Sequence, residues 1–380
     1  MNDIIKEKLA GLTPVQREQL RMRRQQKASK QAALTPGSAA QLDYSLFFFS
    51  AVDEAGAANK YDMLIQCAEF ADQNGFKALW LPERHFTPFG GLYPNPSVLA
   101  AALATRTRHL ELRAGSVVVP LHNPARIVEE WSVVDNLSNG RVALALASGW
   151  HKKDFALRPE AWEDRRERVA SGIMQIRKLW RGEAVTMPGG DGELVSVSTW
   201  PRPVQEELCL WLTCSSAQGW TRAGELGANV LCMMGHSPAL LEENIQRYRQ
   251  AREAAGYQAD DGIITVMLHT YLDNDMQRAK TLVREPMLHY LEEYLRQFDS
   301  LVDSDMRKNV ESNKAQFLEF AFERYFEQAA LFGSVDKCRA LTHSLAQMGV
   351  KEIACLIDFG VPTERVMNSL SLLKSLFPRS

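Results

Sequence analysis

Eight times between residues 42 and 377, an apolar run of strand length gives way to a segment with helical spacing. The apolar runs are 42–50, 78–81, 110–119, 141–147, 208–213, 229–233, 262–272 and 352–358. The segments after them are 60–76, 96–105, 124–137, 164–180, 219–227, 238–256, about 275–348 and 363–377. In the first, Leu64, Cys67, Ala68 and Ala71 form a helical stripe. Strict alternation makes neighbouring strands parallel, with each helix as the crossover. Eight such units close most simply into a (β/α)8 TIM barrel, an α/β fold. An open doubly wound sheet is the other arrangement. It would carry a GxGxxG turn after its first strand, and "FFFSAVDEAG" is not one.

Residues 1–40 stand apart from the barrel domain at 41–380. They are basic, Gln-rich and helix-prone up to Pro36-Gly37, and predict a helical extension and linker. Three helices begin with one grammar, Asn95-Pro96, Asn123-Pro124 and Ser237-Pro238: a capping side chain, then proline in the first turn. Capping fully accounts for these six residues.

The net charge of −2 gives no electrostatic reason to expect nucleic acid or a membrane surface as partner. Six cysteines without CxxC spacing predict reduced, mostly buried thiols in a cytoplasmic protein. No apolar run has membrane-spanning length, and the charged N-terminus is unlike a secretion signal. The histidines are spread over several strands without HxxxH or an acidic triad, so no metal site is expected. No GxSxG elbow supports a serine hydrolase.

A barrel of this kind carries its chemistry where the strands end. There the sequence places Ser50; Glu83-Arg84-His85; Gly115-Ser116, continuing to His122; Ser148-Gly149-Trp150-His151; Thr213-Cys214-Ser215-Ser216; Met233-Met234-Gly235-His236; His269-Thr270; and Asp358. Small residues let backbone approach a flat ring. Hydroxyls at the start of the fifth helix suit a phosphate, and aromatic or methionine side chains suit a ring face. The set predicts a large, flat, phosphorylated ligand.

Longer motifs then carry a resemblance: "PERHFTPFGGLYPNPSV", "RAGSVVVPLHNP", "EEWSVVDNLSNGR", "ASGWHKKDF", "PRPVQ" and "EIACLIDFGV". Together they resemble the bacterial luciferase-like flavin monooxygenases, over about 42–275 and again over 331–376. More closely, they resemble the branch found in nonribosomal peptide and polyketide biosynthesis. The resemblance implies a TIM barrel binding reduced FMN over the strand ends, O2 as co-substrate, and a separate flavin reductase. It places Ser148, Gly149 and Trp150 beside the flavin. It gives Arg168, with Arg165 as rival, to the FMN phosphate, together with Ser215, Ser216 and Gly219. It puts a cis non-proline peptide at Gly115-Ser116 and a homodimer through helices beside strands two and three. One position departs: where the light-emitting enzymes carry histidine directly after the strand-two glutamate, this chain has Arg84, then His85. That argues against light emission.

On this reading Glu83, Arg84 and His85 form the catalytic wall of the site. Arg84 holds an oxygen or a substrate carbonyl and His85 moves a proton. Glu83 pairs with Arg84 or with neighbouring backbone. The implied function is monooxygenation of a natural-product intermediate, free or tethered to a carrier protein. A deazaflavin-dependent oxidoreductase and a non-catalytic flavin-binding partner are the alternatives.

Overall fold

The computed structural model describes residues 42–50, 59–234, 237–298 and 314–377. The extension expected at 1–40 lies outside them, as do Gly235 and His236.

The described residues form eleven strands: β1 (Asp43–Phe47), β2 (Ala78–Leu81), β3 (Glu111–Val118), β4 (Val142–Ala147), β5 (Val185–Pro188), β6 (Leu194–Val197), β7 (Leu210–Thr213), β8 (Asn229–Met233), β9 (Ile264–Leu272), β10 (Leu331–Gly333) and β11 (Glu352–Leu356). Ten α-helices accompany them among the described residues: α1 (Asp62–Gln73), α2 (Pro96–Ala104), α3 (Pro124–Ser138), α4 (Arg165–Trp180), α5 (Ala217–Glu225), α6 (Pro238–Ala254), α7 (Met276–Phe298), α8 (Lys314–Gln328), α9 (Val335–Met348) and α10 (Thr363–Leu373). The ring runs β1-β2-β3-β4-β7-β8-β9-β11 and closes where β11 pairs with β1, every pairing parallel. This is the closed eight-stranded barrel that the alternation predicts. No described helix is long and apolar enough to cross a membrane.

The strands read as continuous apolar runs because both of their faces are covered. Phe47, Trp80, Ala143, Ala145, Trp211, Leu231, Met267, Ala354 and Leu356 fill the barrel interior. Alternate residues such as Leu46, Leu79, Leu112, Leu144, Val230 and Ile353 meet the helices. Trp80 and Trp211 cross edge to face, with ring centroids 5.3 Å apart, and share the interior with Ala143, Ala145 and Ala354. Large side chains facing small ones make this interior solid rather than a pore.

All three proline-led caps form. Asn95 accepts from the Ser97 and Val98 amides, Asn123 from Ala125 and Ser237 from Leu240. Two regions differ from expectation. The Gly-rich excursion at 182–206 contains the antiparallel hairpin β5-β6. The stretch read as helical over 275–348 is interrupted by β10, which pairs with the last three residues of β9, and by the separate helix α9. β10 is only three residues long. Its apolar side chains continue the helical spacing of "FLEFAFERYF", which hides the strand.

Candidate active site

At the end of β2 the chain alternates sides. Trp80 points into the barrel and Leu81 toward the helices. Glu83 turns into the wall between β2 and β3. Its Oε2 accepts from the Val118 amide at 2.7 Å, and its Oε1 lies 2.8 Å from His85 Nε2 and 2.6 Å from His122 Nε2. Glu83 thus pairs with two imidazoles and a backbone amide, not with Arg84. Burial pushes its carboxyl pKa up, but the hydrogen bonds from His122, His85 and Val118 outweigh this and hold it below the usual carboxylate range. Burial also opposes charge on His122, and the bond to Glu83 overcomes it, raising the imidazole pKa.

Linkage fixes where this pair stabilises the fold. The depressed Glu83 contributes above the ordinary glutamate range and loses its effect as pH falls through the depressed value. The raised His122 contributes below the ordinary imidazole range and loses its effect as pH rises through the raised value. The stability gap between wild type and His122→Gln is therefore expected to be widest between those limits and to close on both sides. Urea midpoints across a pH series check this.

Arg84 takes the other side of the alternation. Its guanidinium lies 4.9 Å from the Trp150 ring centroid, 5.5 Å from Phe49 and 5.8 Å from Phe89. Burial lowers its pKa against the attraction of Asp154, yet an arginine in such a place stays cationic. Phe49 is held by Asp358 at the end of β11, whose carboxylate accepts from the Phe49 and Ser50 amides and the Tyr93 hydroxyl.

The mouth of the barrel is lopsided. Over β9 and β11, helices α7 and α8 close it. Fully buried His269 sits 4.4 Å from Tyr290 between ring centroids, with Tyr325 and Phe359 completing its walls. Burial pushes His269 down to about 3, so this ring is neutral at working pH. Tyr290 stacks on Tyr294, and Tyr294 reaches Trp150. Over β3, β4, β7 and β8 the described residues leave the rim open. Ser116, Ser148, Gly149, Trp150 and Thr213 are half-buried, while Ser215 and Ser216 are exposed.

The open half gathers most of the expected cofactor residues. The Gly115-Ser116 peptide is cis, at the position where the resemblance put such a bond. Ser116 Oγ shares a hydrogen bond with Thr213 Oγ1, joining β3 to β7. Gly115 packs so tightly that a Cβ there would lie 2.8 Å from the Phe47 ring. Gly149 has φ +75°, which lets the chain turn from β4 past Val118 and Phe155. After β7, Ser216 caps α5 by accepting from the Gly219 amide, so Ser215, Ser216 and the first amides of α5 form one polar corner. Arg168 is placed differently. From the outer helix α4 it bonds Asp164, the residue just before that helix, and Arg165 stacks over Trp162 at 3.9 Å. Neither is brought into contact with the serines.

Sequence spacing named neither Tyr290 nor Tyr294 as mouth residues. Their i,i+4 separation in "YLEEYLRQF" reads equally well as ordinary packing. His122 was legible as a strand-end residue, but its tie to Glu83, 39 positions earlier, was not.

Comparison with known proteins decides the family. The sequence model described as luciferase-like monooxygenase matches residues 41–352. The chain belongs to the luciferase-like monooxygenase family. Among curated members it is 23% identical to an alkanal monooxygenase alpha chain of Photorhabdus luminescens, over 82% of this chain and 89% of that protein. It is 28% identical to an F420-dependent glucose-6-phosphate dehydrogenase of Amycolatopsis mediterranei, over 57% of this chain and 67% of that protein. Among solved structures, one match is the oxygenating constituent of 3,6-diketocamphane monooxygenase of Pseudomonas putida, a type II Baeyer-Villiger monooxygenase in complex with FMN. Its TM-score is 0.71 at 19% identity, covering 88% of this chain and 98% of that one. That likeness establishes the shared barrel fold.

Proposed function

We propose that this luciferase-like protein is the oxygenase component of a two-component monooxygenase. It takes reduced FMN from a separate flavin reductase and places one oxygen of O2 into a natural-product intermediate, including intermediates held on a carrier protein. The observation that carries this is the half-open mouth. It is floored by small residues at Gly115, Ser116, Ser148 and Gly149, and a polar helix start stands at its edge. Such a floor fits a flat ring, and the corner of Ser215, Ser216 and the α5 amides fits its phosphate. Trp150 supplies a flat apolar face. Arg168 stays in the proposal as a phosphate ligand that must first leave Asp164. Held there, a reduced flavin would supply the two electrons with which one oxygen of O2 enters the product and the other leaves as water.

The chain's own side chains supply the rest. Arg84, cationic among aromatic rings, holds a carbonyl or developing negative oxygen where water is scarce. His85, held by Glu83, moves the proton. Tyr290, Tyr294 and Trp150 keep water from one side of the mouth. The decisive assay contains the reductase, NADH, FMN and 18O2. Product carrying one labelled oxygen supports the proposal. Hydride transfer with F420 and no oxygenated product favours the second reading, a deazaflavin-dependent oxidoreductase, which the F420-dependent relative motivates.

Ser216→Asp tests the phosphate corner. Aspartate caps a helix as well as serine, so the fold is kept, while its charge repels phosphate at the α5 start. Affinity for FMN, followed by quenching of tryptophan fluorescence, is expected to fall by about tenfold or more, roughly 1.4 kcal/mol. A homodimer through α2 and α3 belongs to the same reading. Val98, Val133 and Leu137 stand exposed there, and sedimentation at several concentrations tests it.

A further inference from the structure

The two imidazoles on Glu83 are held by one atom. His85 Nε2 and His122 Nε2 both approach Oε1, while Oε2 is taken by the Val118 amide. An ionised carboxylate only accepts hydrogen bonds. Each Nε2 must therefore carry a hydrogen, and in a neutral ring the lone pair is left on Nδ1.

The charge must also balance. Glu83 is almost fully buried, and a buried anion without a counter-charge is costly. A single proton on one ring offsets it, and a second would leave a net buried cation. The surroundings choose the ring. The His122 side chain is 34% exposed, against 12% for His85. His122 also lines a cavity of ≈ 20 Å³ together with Glu83, Asn95, Ser97, Arg126 and Glu130. That is room for about one water, which can take the Nδ1 hydrogen. The other charged groups facing the pair sit on both sides of it. Glu130 on α3 bonds Arg126 and Ser97. Arg158 donates to the His122 carbonyl, and Lys153 donates to the Phe86 carbonyl next to His85. Arg84, a fixed cation, directly precedes His85. At His122 the attraction of Glu130 outweighs the repulsion of Arg158, whereas the cations Arg84 and Lys153 stand beside His85.

We propose that Glu83 is a positioning carboxylate shared by two imidazoles: it fixes neutral His85 with its lone pair on Nδ1, and His122 takes up the proton that balances the buried charge. His85 then has one defined atom, Nδ1, with which to accept a proton, and His122 exchanges its proton through the wall between α2 and α3 rather than through the mouth. The use of His85 in oxygenation rests on the proposed function. The tautomer and the place of the charge do not.

The test is 15N NMR of the full chain labelled at histidine, without flavin, across a pH series. Neutral His85 is expected to show a hydrogen on Nε2 and a bare Nδ1, and His122 to titrate above the ordinary imidazole range. In Glu83→Gln, which keeps the side-chain volume and an acceptor for Val118, the His122 titration is expected to move down and His85 to become a tautomer mixture. A neutral His85 with its hydrogen on Nδ1, or a His122 titration unmoved in Glu83→Gln, overturns the inference. With reductase and FMN present, the pH profile of product formation is expected to shift in Glu83→Gln and in His122→Gln. An unshifted profile in both overturns the positioning role. Failure of the NMR result while FMN still binds removes this inference alone. Loss of FMN binding with the NMR result intact removes the proposed function alone.

Discussion

Arg113→Met is expected to lower global stability by about 3–5 kcal/mol. Arg113 closes the barrel from below, at the end opposite the mouth. It donates from Nη1 to both oxygens of Glu352 at 3.0 and 2.8 Å, and from Nε and Nη2 to Glu111. Its guanidinium also lies against the Trp80 and Trp211 pair, with centroids 4.7 and 4.6 Å away. Glu352 also accepts from Ser45 Oγ and Trp80 Nε1. Burial pushes the Arg113 pKa down, but Glu352 and Glu111 outweigh it and leave it raised, so the cation is held firmly. Removing only the arginine strands the Glu352 carboxylate in the core with two neutral donors. The large cost comes from that stranded charge rather than from the lost attraction. The pairing Arg113→Met with Glu352→Gln is therefore expected to recover much of the loss. Lys77→Met, which removes the partly exposed ion pair with Glu111, is expected to cost no more than about 1 kcal/mol. Urea denaturation of the four proteins gives the comparison. Equal losses in Arg113→Met and Lys77→Met would show that the plug is not held by its buried charge.

That plug marks the limit of what the sequence reveals. The barrel was legible because each strand and each helix announces itself within its own residues, by apolar run, by helical spacing or by an Asn-Pro start. Arg113 and Glu352 meet across 239 positions, and inside "LELRAG" and "EIACLID" they look like ordinary polar interruptions. The same holds at the mouth. The Glu83-Arg84-His85 run is visible in sequence, and one-residue alternation could have sent either Glu83 or Arg84 over the mouth. Only the turn after Pro82 settles that the glutamate enters the wall and the arginine meets Trp150. Short local motifs are easier to place. The serine corner at 215–216 and the Ser148-Gly149-Trp150 segment lie where strand ends put them, because their position follows directly from the strands before them. Arg168 rests on resemblance alone, and its bond to Asp164 is a helix-surface contact one turn away.

Gly149→Val is expected to cost about 2–5 kcal/mol locally and to abolish measurable FMN binding. Two separate effects add. At φ +75° a side chain meets its own backbone, which costs roughly 1–2 kcal/mol for an ordinary residue and is worse for a β-branched one. The new Cβ would also lie 2.8 Å from Phe155 and 2.9 Å from Val118, which forces a shift of well-packed side chains at about 1–3 kcal/mol. Both strains are relieved only if the segment 148–150 moves away from Val118 and Phe155. Trp150 and Ser148 move with it, and the open half of the mouth loses its floor. A matched control is Gly190, at the tip of the β5-β6 hairpin. Nothing lies within 4 Å of where its Cβ would stand, and Gly190→Val is expected to leave stability and binding unchanged. Far-ultraviolet circular dichroism and the urea midpoint separate loss of the site from loss of the barrel. The cluster of Val118, Leu121, Phe155 and Ala161 stands apart from the main core, so the damage is expected to stay on that side. Retained FMN affinity in a folded Gly149→Val would mean that the β4 turn does not touch the flavin. The ring would then have to lie elsewhere along the rim.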